Sequence, residues 1–218
     1  MSLLPEGRPR DDTMSDTTDT LDERLIDPEP VKQFQQWFDD AIKASLPLPE
    51  AMSLATVTTD GKPTSRMVLL KGVDLNGFVF YTNYRSAKAK ELDANPNAAL
   101  VFFWPQLERQ VRVEGRVTRT SAAESSEYFA TRPRGSQIGA WASPQSEVIA
   151  TRTELEKRKA EFEERYRDRE VHWPEHWGGY RLKPDRIEFW KGRPDRLHDR
   201  ILYEREADGT WSIKRLAP

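Results

Sequence analysis

The sequence contains no cysteine, three histidines and no long hydrophobic run. Without cysteine the chain forms no disulfide, thiolate metal site or iron–sulfur cluster, and it lacks a cysteine nucleophile. His172 and His176 stand four residues apart, but Pro174 between them opposes a helix and no carboxylate motif accompanies them, so we predict no metal site. Residues 1–26 lack the apolar segment of a signal peptide, and no run of ~18 apolar residues follows. We therefore expect a soluble, cytoplasmic protein that does not enter a membrane.

The sequence also has no excess of positive or negative charge. The 34 Lys and Arg residues nearly balance the 36 Asp and Glu residues, which leaves a net charge of -2. A nucleic-acid module needs a basic surface interleaved with aromatic side chains, so we predict no nucleic-acid partner. Any site for an anion must be local. The length of 218 residues suits one domain with a sizeable core.

The chain divides into a tail and one domain. Residues 1–26 are polar and acidic with almost no aromatic content, which predicts a disordered tail. Asp27 and Pro28 read as the N-cap and first position of a helix that runs to about Ser45. We assign 27–218 to a single domain that includes a C-terminal dimerisation region.

Beyond the first helix the hydrophobic period is mostly two. The turn sequences at 59–62 and 74–77 predict the hairpins of an antiparallel meander. Helical signals interrupt the strands at 86–95, 121–131, 136–142 and 147–169. The succession of short strands predicts a mainly β fold with added helices (α+β) that forms a closed or partly closed barrel. The predicted strands are 52–58, 64–71, 78–82, 98–104, 108–118, 180–182, 186–190, 197–205 and 211–216.

The stretch 187–200, IEFWKGRPDRLHDR, concentrates cationic and titratable groups. If its end is a strand, Arg196, His198 and Arg200 share one face and span about 13 Å. That length suits contact with two ligands placed side by side. The alternative from this string alone is a solvated basic strand face.

Two other places bring cations next to hydroxyls. In one, Arg66 and Lys71 are followed by Thr82 and by Lys88, which lies at the start of a predicted helix, a combination that suits a phosphate monoester. In the other, Tyr128, Arg132 and Ser136 lie between two predicted helices. Neither place carries a GxGxxG or Walker A pattern, which disfavours dinucleotides and nucleoside triphosphates. Two such groups imply two phosphorylated ligands, although cations near hydroxyls are often only surface features.

Eight ordered motifs resemble those of the pyridoxine (pyridoxamine) 5'-phosphate oxidase family. They run from about Asp27 to the last residue and cover most of the chain. The motifs are RMVLLKG (66–72), FYTN (80–83), LERQVRVEG (107–115), RPRGSQIGAW (132–141), QS (145–146), WGGYR (177–181), IEFWKGRPDRLHDR (187–200) and RLAP (215–218).

The resemblance implies an FMN-binding split barrel that works as a homodimer with each flavin between subunits. It also implies the reaction. Pyridoxamine or pyridoxine 5'-phosphate is oxidised at its exocyclic carbon, flavin accepts the hydride, and dioxygen reoxidises the flavin with release of hydrogen peroxide.

The resemblance also implies roles for individual residues. The residues expected to contact FMN are Arg66, Met67, Val68, Leu69, Leu70, Lys71, Tyr81, Thr82, Lys88, Gln110, Gln145, Ser146, Trp190 and Arg200, with Arg66, Thr82 and Lys88 at its phosphate. Those expected to hold the substrate phosphate are Lys71, Tyr128, Arg132 and Ser136. Arg196 and His198 are expected to cover the pyridine ring and to be the catalytic residues.

Two positions depart from the family pattern. Ala87 stands where many members have a second arginine for the FMN phosphate, and the N-terminal Arg-x-x-Tyr element that closes over substrate is absent near Asp11, Thr13 and Met14. Two alternatives stay open at this point. One is another split-barrel flavoprotein, such as a haem-handling protein or a deazaflavin-dependent reductase. The other is a non-catalytic module that binds FMN or pyridoxal phosphate.

Overall fold

A computed structural model describes residues 20–218. Residues 1–19 of the predicted disordered tail lie outside the described residues. One residue of the remaining tail packs into the domain: Leu21 is only 6% exposed within the main core, and its carbonyl accepts a 2.8 Å hydrogen bond from the Arg215 guanidinium. Glu23 also pairs with Arg215 at 2.5 Å. The folded part therefore begins before Asp27, because an apolar side chain at position 21 has a core site to fill.

The first helix, α1, spans Pro30–Lys43 and begins later than predicted. Its N-cap is Glu29, whose carboxylate accepts a hydrogen bond from the Val31 N–H, and Pro30 takes the first helical position. The predicted cap residue Asp27 instead accepts a 2.8 Å hydrogen bond from the Glu29 N–H. The prediction chose the wrong one of two Asp/Glu–Pro pairs, which have the same local chemistry.

Within residues 20–218, nine strands form one antiparallel sheet. They are β1 (Ala51–Val57), β2 (Pro63–Leu69), β3 (Gly72–Asp74), β4 (Gly77–Asn83), β5 (Asn97–Trp104), β6 (Arg109–Arg119), β7 (Trp177–Lys191), β8 (Asp199–Arg205) and β9 (Trp211–Arg215). The order is β2-β1-β5-β6-β7-β4-β3, with β8 beside the second half of β7 and β9 beside β8.

The sheet curls into a half-barrel. Phe34 of α1 packs in one core cluster with Phe78 of β4, Phe102 of β5 and Phe189 of β7, and only a curled sheet brings these strands around one core. The predicted mainly β fold with added helices is confirmed. The simple meander is wrong, because β4 pairs with β7 and not with β2.

Four helices follow the first one. They are α2 (Ala87–Ala94), α3 (Ala122–Thr131), α4 (Arg134–Ala142) and α5 (Arg152–Arg165). The predicted helix at 147–169 is shorter in the structure, because Thr151 is its N-cap and accepts a 3.2 Å hydrogen bond from the Glu154 N–H. No helix within the described range is both long and apolar enough to cross a membrane.

The start of β7 brings the helices against the sheet. A Cβ at Gly178 would lie 2.2 Å from the Tyr84 hydroxyl oxygen and 2.7 Å from the Ser125 hydroxyl oxygen. The absence of a side chain at Gly178 leaves room for both hydroxyls, and α3, which carries Ser125, lies directly on β7. Near its end, α3 also lies against β4, where the Tyr128 and Tyr81 rings stack.

Candidate functional site

A cavity of about 540 Å³ opens between β2, β4, the start of α2 and the α3–α4 junction. Its volume falls within the range of small-molecule sites. The predicted site residues that line it are Arg66, Met67, Val68, Leu69, Lys71, Tyr81, Thr82, Lys88, Tyr128, Arg132, Ser136 and Gln145. The structure thus brings both predicted phosphate-binding groups to one cavity.

The sequence analysis missed three residues of the cavity wall, Thr131, Pro133 and Trp177. Trp177 stands in the WGGYR motif, so the sequence contained a signal that it matters. No rule of spacing, however, connects the start of β7 with the α3–α4 junction.

One wall of the cavity, the Arg66 wall, holds its arginine by a dense set of hydrogen bonds. The two terminal nitrogens of Arg66 donate to the Leu54 carbonyl, the Thr56 and Thr64 hydroxyls and the Glu91 carboxylate. The Arg66–Glu91 distance is 2.9 Å, and both side chains are mostly buried. Thr56 and Thr64 donate to the same carboxylate oxygen of Glu91, at 2.5 and 2.8 Å.

This network sets the ionisation of Glu91. Burial alone would raise the pKa of Glu91, but hydrogen bonds from Thr56, Thr64 and Arg66 and the charge of Arg66 outweigh it, so the pKa lies below its ordinary value. The carboxylate is therefore ionised at neutral pH. Its charge balances that of Arg66 from a position behind the cavity wall.

Lys88, in the first turn of α2, lies on the same side of the cavity with neutral partners. Its ammonium donates to the Gln145 side-chain oxygen at 2.8 Å, the Thr82 hydroxyl at 3.1 Å and the Ser86 hydroxyl at 3.4 Å. Burial, with the nearby charge of Arg66, lowers the pKa of Lys88. Among the described residues it forms no ion pair with a carboxylate, so its charge is available to an anionic ligand.

The opposite wall, the Arg132 wall, holds its arginine on an aromatic face. The Arg132 guanidinium carbon lies 4.5 Å from the centre of the Trp177 ring. Burial lowers the pKa of Arg132, and one of its terminal nitrogens is buried without a hydrogen-bond partner in the described part of the chain. A buried donor without a partner is costly, and an anion such as phosphate would supply the missing acceptor.

Two tyrosine hydroxyls lie beside these cations. The Tyr81 and Tyr128 rings stack with centroids 4.0 Å apart, and the Tyr81 ring stacks on Trp177 at 5.4 Å. Burial raises the pKa of Tyr81 to about 12 and also raises that of Tyr128. Both phenols therefore keep their protons at neutral pH and can donate hydrogen bonds to a ligand oxygen.

Three predicted flavin contacts lie away from the cavity in one row. Gln110 of β6 is directly opposite Trp190 of β7, which is directly opposite Arg200 of β8. Cross-strand partners share a face, so these side chains lie on one face of the sheet, where all three are half-buried. None of the three lines the cavity.

Leu70 and Ser146 also lie outside the cavity wall. Leu70 is 6% exposed and belongs to the core, while Ser146 follows Gln145 with a left-handed backbone (φ 73°). The side chain of Leu70 packs into the core, so only its backbone is available to a ligand.

The predicted strand face of Arg196, His198 and Arg200 is wrong. β8 begins only at Asp199, and Arg196 ends a short 3₁₀ turn in which it has a left-handed backbone (φ 60°). His198 lies in the connection, where its Nδ1 accepts a 3.0 Å hydrogen bond from the Arg193 N–H. The chain folds back here because Gly192 and Pro194 interrupt the strand pattern. Arg196 and His198 do not line the cavity of their own chain.

The accepted hydrogen bond fixes one tautomer of His198. With Nδ1 as acceptor, the neutral ring carries its proton on Nε2, which is then a donor. The ring also lies against Trp190, with centroids 4.7 Å apart. Within residues 20–218, no cluster of three or more His, Asp or Glu side chains is placed to hold a metal ion.

Comparisons with known proteins agree on one family. Residues 38–166 match the family model described as pyridoxamine 5'-phosphate oxidase, and residues 177–218 match the pyridoxine 5'-phosphate oxidase C-terminal dimerisation region. The protein called pyridoxine/pyridoxamine 5'-phosphate oxidase in Rubrobacter xylanophilus is 56% identical over 218 residues, covering 99% of this chain and 100% of the relative. Its namesake in Pseudomonas paraeruginosa is 58% identical over 204 residues, covering 93% and 94%.

Solved structures support the fold. The crystal structure of PhzG from Burkholderia lata, in complex with tetrahydrophenazine-1-carboxylic acid, is 29% identical with a TM-score of 0.86, covering 92% of this chain and 98% of that one. An FMN-binding protein of Nostoc punctiforme related to pyridoxamine 5'-phosphate oxidase has the same fold, with 20% identity and a TM-score of 0.68 over 85% of this chain and 97% of that one. Because the two family models together span most of the chain and the named relatives match it nearly end to end, the chain belongs to the pyridoxamine 5'-phosphate oxidase family, a group of FMN-dependent oxidoreductases.

Proposed function

We propose that this chain oxidises pyridoxamine 5'-phosphate and pyridoxine 5'-phosphate to pyridoxal 5'-phosphate, with FMN as cofactor and dioxygen as the final electron acceptor. The observation that carries the proposal is that cations and hydroxyls lie on two walls of one and the same cavity. It provides for two phosphate groups, one from the cofactor and one from the substrate. The names of the relatives at 56% and 58% identity support the same assignment.

The Arg66 wall fits the FMN phosphate. Lys88 supplies a charge that no carboxylate of the described residues neutralises, and Thr82 places a hydroxyl 3.1 Å from it. Arg66 adds the positive end of its ion pair with Glu91, because Arg66 lines the cavity and Glu91 does not. When bound, FMN supplies a two-electron acceptor for the exocyclic carbon of the substrate, and dioxygen then takes up the electrons as hydrogen peroxide.

The Arg132 wall fits the substrate phosphate. The unpartnered nitrogen of Arg132 and the protonated Tyr128 hydroxyl both donate, and Ser136 adds a hydroxyl from the first turn of α4. Lys71 is exposed at the rim of the cavity and forms no ion pair among the described residues. Anchoring the phosphate at one wall and the cofactor at the other holds the two reactants in a fixed relative position.

The overall reaction balances without a strong acid or base from the protein. Pyridoxamine 5'-phosphate, water and dioxygen give pyridoxal 5'-phosphate, ammonia and hydrogen peroxide. Pyridoxine 5'-phosphate and dioxygen give the same aldehyde and hydrogen peroxide. The residues of this chain therefore serve mainly to bind and orient, which agrees with a cavity rich in cations and hydroxyls.

Two copies of the chain complete the proposed site. Gln110, Trp190 and Arg200 lie on β6, β7 and β8, and none of the three lines the cavity of its own chain. We therefore assign the Gln110–Trp190–Arg200 row, with Arg196 and His198 beside it, to the cavity of a second copy, in agreement with the match to a dimerisation region.

The test is oxygen uptake by the purified, FMN-loaded protein on addition of pyridoxamine 5'-phosphate, with hydrogen peroxide and the aldehyde measured separately. Pyridoxamine without its phosphate is the matched control. We expect turnover that depends on the phosphate. Equal turnover of both compounds would contradict the role of the Arg132 wall.

Two alternatives are decided by the same assay. The likeness to PhzG raises a tricyclic aromatic carboxylic acid as a substrate, since that protein was solved with such a compound. Turnover of that compound in preference to the phosphate ester would favour this alternative. FMN binding with no turnover of either compound would indicate a binding module.

A further inference from the structure

Arg200, which the proposed function places at the flavin, is held from two directions. Its Nε donates to a carboxylate oxygen of Glu188 at 2.8 Å, and one terminal nitrogen donates to the Ala217 carbonyl at 2.9 Å. The Arg200 carbonyl in turn accepts a 2.9 Å hydrogen bond from the Leu216 N–H. The segment Leu216–Pro218 is therefore attached to Arg200 through both its main chain and its side chain.

Glu188 is suited to hold a cation in place. It is only 7% exposed on β7, and its second carboxylate oxygen accepts a 3.3 Å hydrogen bond from Arg112. A buried carboxylate bound by two guanidinium groups keeps its charge and its position. Its β7 position is two residues before Trp190, so it shares the face of the Gln110–Trp190–Arg200 row.

These contacts leave a defined part of the guanidinium for a ligand. An arginine has five N–H groups, and the described residues use the Nε–H and one terminal N–H of Arg200. The remaining donors have no partner in that part of the chain, and the side chain is 27% exposed. The protein thus holds one edge of the Arg200 guanidinium in place and leaves the other edge available to a ligand.

We infer that the Leu216–Pro218 segment and Glu188 are positioning elements of the flavin site, acting through Arg200. This inference rests on the proposed function and gives a role to the RLAP motif at 215–218, for which the proposed function has none. Without the Ala217 carbonyl, the long side chain of Arg200 keeps one anchor and gains rotational freedom, so less of its charge is in place when the flavin is reduced.

The first experiment shortens the chain and measures FMN binding by flavin fluorescence, along with the flavin midpoint potential. A variant that stops after Leu216 loses the Ala217 carbonyl, and we expect its dissociation constant for FMN to rise about tenfold and its potential to become more negative. A variant that stops after Ala217 keeps an acceptor there as a carboxylate, so its dissociation constant should stay within about threefold of the parent. Pro218→Ala, which keeps the carbonyl, is the matched control.

The second experiment repeats the truncation in an Arg200→Ala background. If the segment acts through Arg200, the variant that stops after Leu216 loses no further affinity for FMN in that background. A tenfold loss in both backgrounds would overturn the inference, because the segment would then act by another route. An unchanged dissociation constant and potential in the parent background would also overturn it.

A third comparison addresses Glu188. Glu188→Gln removes the charge that holds Arg200, whereas Glu114→Gln removes a carboxylate of β6 that pairs with Arg112 of β6 and Arg186 of β7. We expect only Glu188→Gln to change the flavin spectrum and potential, with no further change when it is combined with Arg200→Ala. Equal effects of the two substitutions would indicate a merely structural role.

The result is separable from that of the proposed function. FMN affinity and potential are measured without substrate, so a protein that binds FMN but oxidises neither phosphate ester still tests the inference. Conversely, turnover of pyridoxamine 5'-phosphate by the parent stands even if the truncations have no effect. Sedimentation of each variant checks that the oligomeric state is unchanged.

Discussion

The two walls of the cavity hold their arginines in opposite ways. Arg66 is enclosed by the Leu54 carbonyl, the Thr56 and Thr64 hydroxyls and the Glu91 carboxylate, which occupy its terminal nitrogens and hold the guanidinium in place. Arg132 instead lies on the face of Trp177 with a buried nitrogen that has no partner among the described residues. One arginine is held in a completed network and the other is prepared for an anion that must arrive.

The difference agrees with the proposed roles of the two walls. A cofactor that stays bound needs a rigid wall, and the Arg66 network is rigid because one carboxylate oxygen accepts three hydrogen bonds. A substrate that binds and dissociates in each turnover gains binding free energy from a donor that is already buried away from water, because the desolvation cost of that donor is not incurred on binding. The unpartnered nitrogen of Arg132 costs stability in the free protein, and under the proposed function the substrate phosphate would recover that free energy on binding.

The largest effect that tests this comparison is expected from Arg132→Ala. It removes a charge-assisted contact to the substrate phosphate, so kcat/KM should fall by about 1,000-fold, or roughly 4 kcal/mol. Arg132→Lys should recover only part of this loss, because it keeps the charge without the planar fork. Steady-state oxygen uptake measures both.

The control for this prediction is the affinity for FMN, which should be unchanged in both Arg132 variants. In the ligand-free protein, the substitution removes a buried unsatisfied donor, which stabilises the fold. We therefore expect the free energy of unfolding to fall by no more than the packing of Arg132 on Trp177 contributes. A loss of FMN with unchanged KM would reverse the assignment of the two walls.

A smaller effect is expected from the aromatic face under Arg132. Trp177→Leu removes the ring on which the guanidinium lies, so KM for the phosphate ester should rise about tenfold while kcat changes little. Trp177→Phe keeps an aromatic face and should restore most of the affinity. Because Trp177 is only 6% exposed, thermal unfolding of both variants is measured alongside. Equal KM values in the Leu and Phe variants would show that the ring face does not position Arg132.

The smallest effect concerns acid stability of the Arg66 wall. The pKa of Glu91 lies below its ordinary value near 4.5, so Glu91 contributes stability above that pH and loses it as the pH falls through its folded pKa. Glu91→Gln should therefore be less stable than the parent by about 1–2 kcal/mol at neutral pH. This difference in the free energy of unfolding between the variant and the parent should decrease at acidic pH.

Urea unfolding at pH 7 and at pH 4 measures this gap. Arg132 has no carboxylate partner in the described structure, so substitutions on the other wall should show no such acid dependence. A gap of the same size at both pH values would mean that the ionisation of Glu91 does not stabilise the wall.

Local sequence patterns predicted the elements of the fold correctly where one residue decides the outcome. The turn at Thr58–Gly61, closed by a 2.9 Å backbone hydrogen bond, follows from glycine with its positive φ. The cap at Ser121 follows from a hydroxyl three residues before an acidic side chain. Where two positions had equal local chemistry, as in Asp27–Pro28 and Glu29–Pro30, the pattern could not choose between them.

The sequence by itself determined two close pairs among the predicted phosphate-binding residues, because the members of each pair are near each other along the chain. Lys88 is six residues from Thr82, and Ser136 is four from Arg132, so neighbours along the chain remain neighbours in space. The order of the motifs also predicted the family and its FMN cofactor, and the family models confirm the family.

Only the tertiary structure decided how these groups meet. Glu91 contacts Arg66, which is 25 residues away along the chain, and Thr56, which is 35 residues away. Trp177 contacts Arg132 although both α4 and α5 lie between them in the sequence. It also placed Arg196 in a turn and moved Gln110, Trp190 and Arg200 to another part of the sheet. The physical reason is that hydrophobic period and capping act over one or two turns of chain, whereas strand order and the curl of the sheet depend on which apolar surfaces pack together across the whole core.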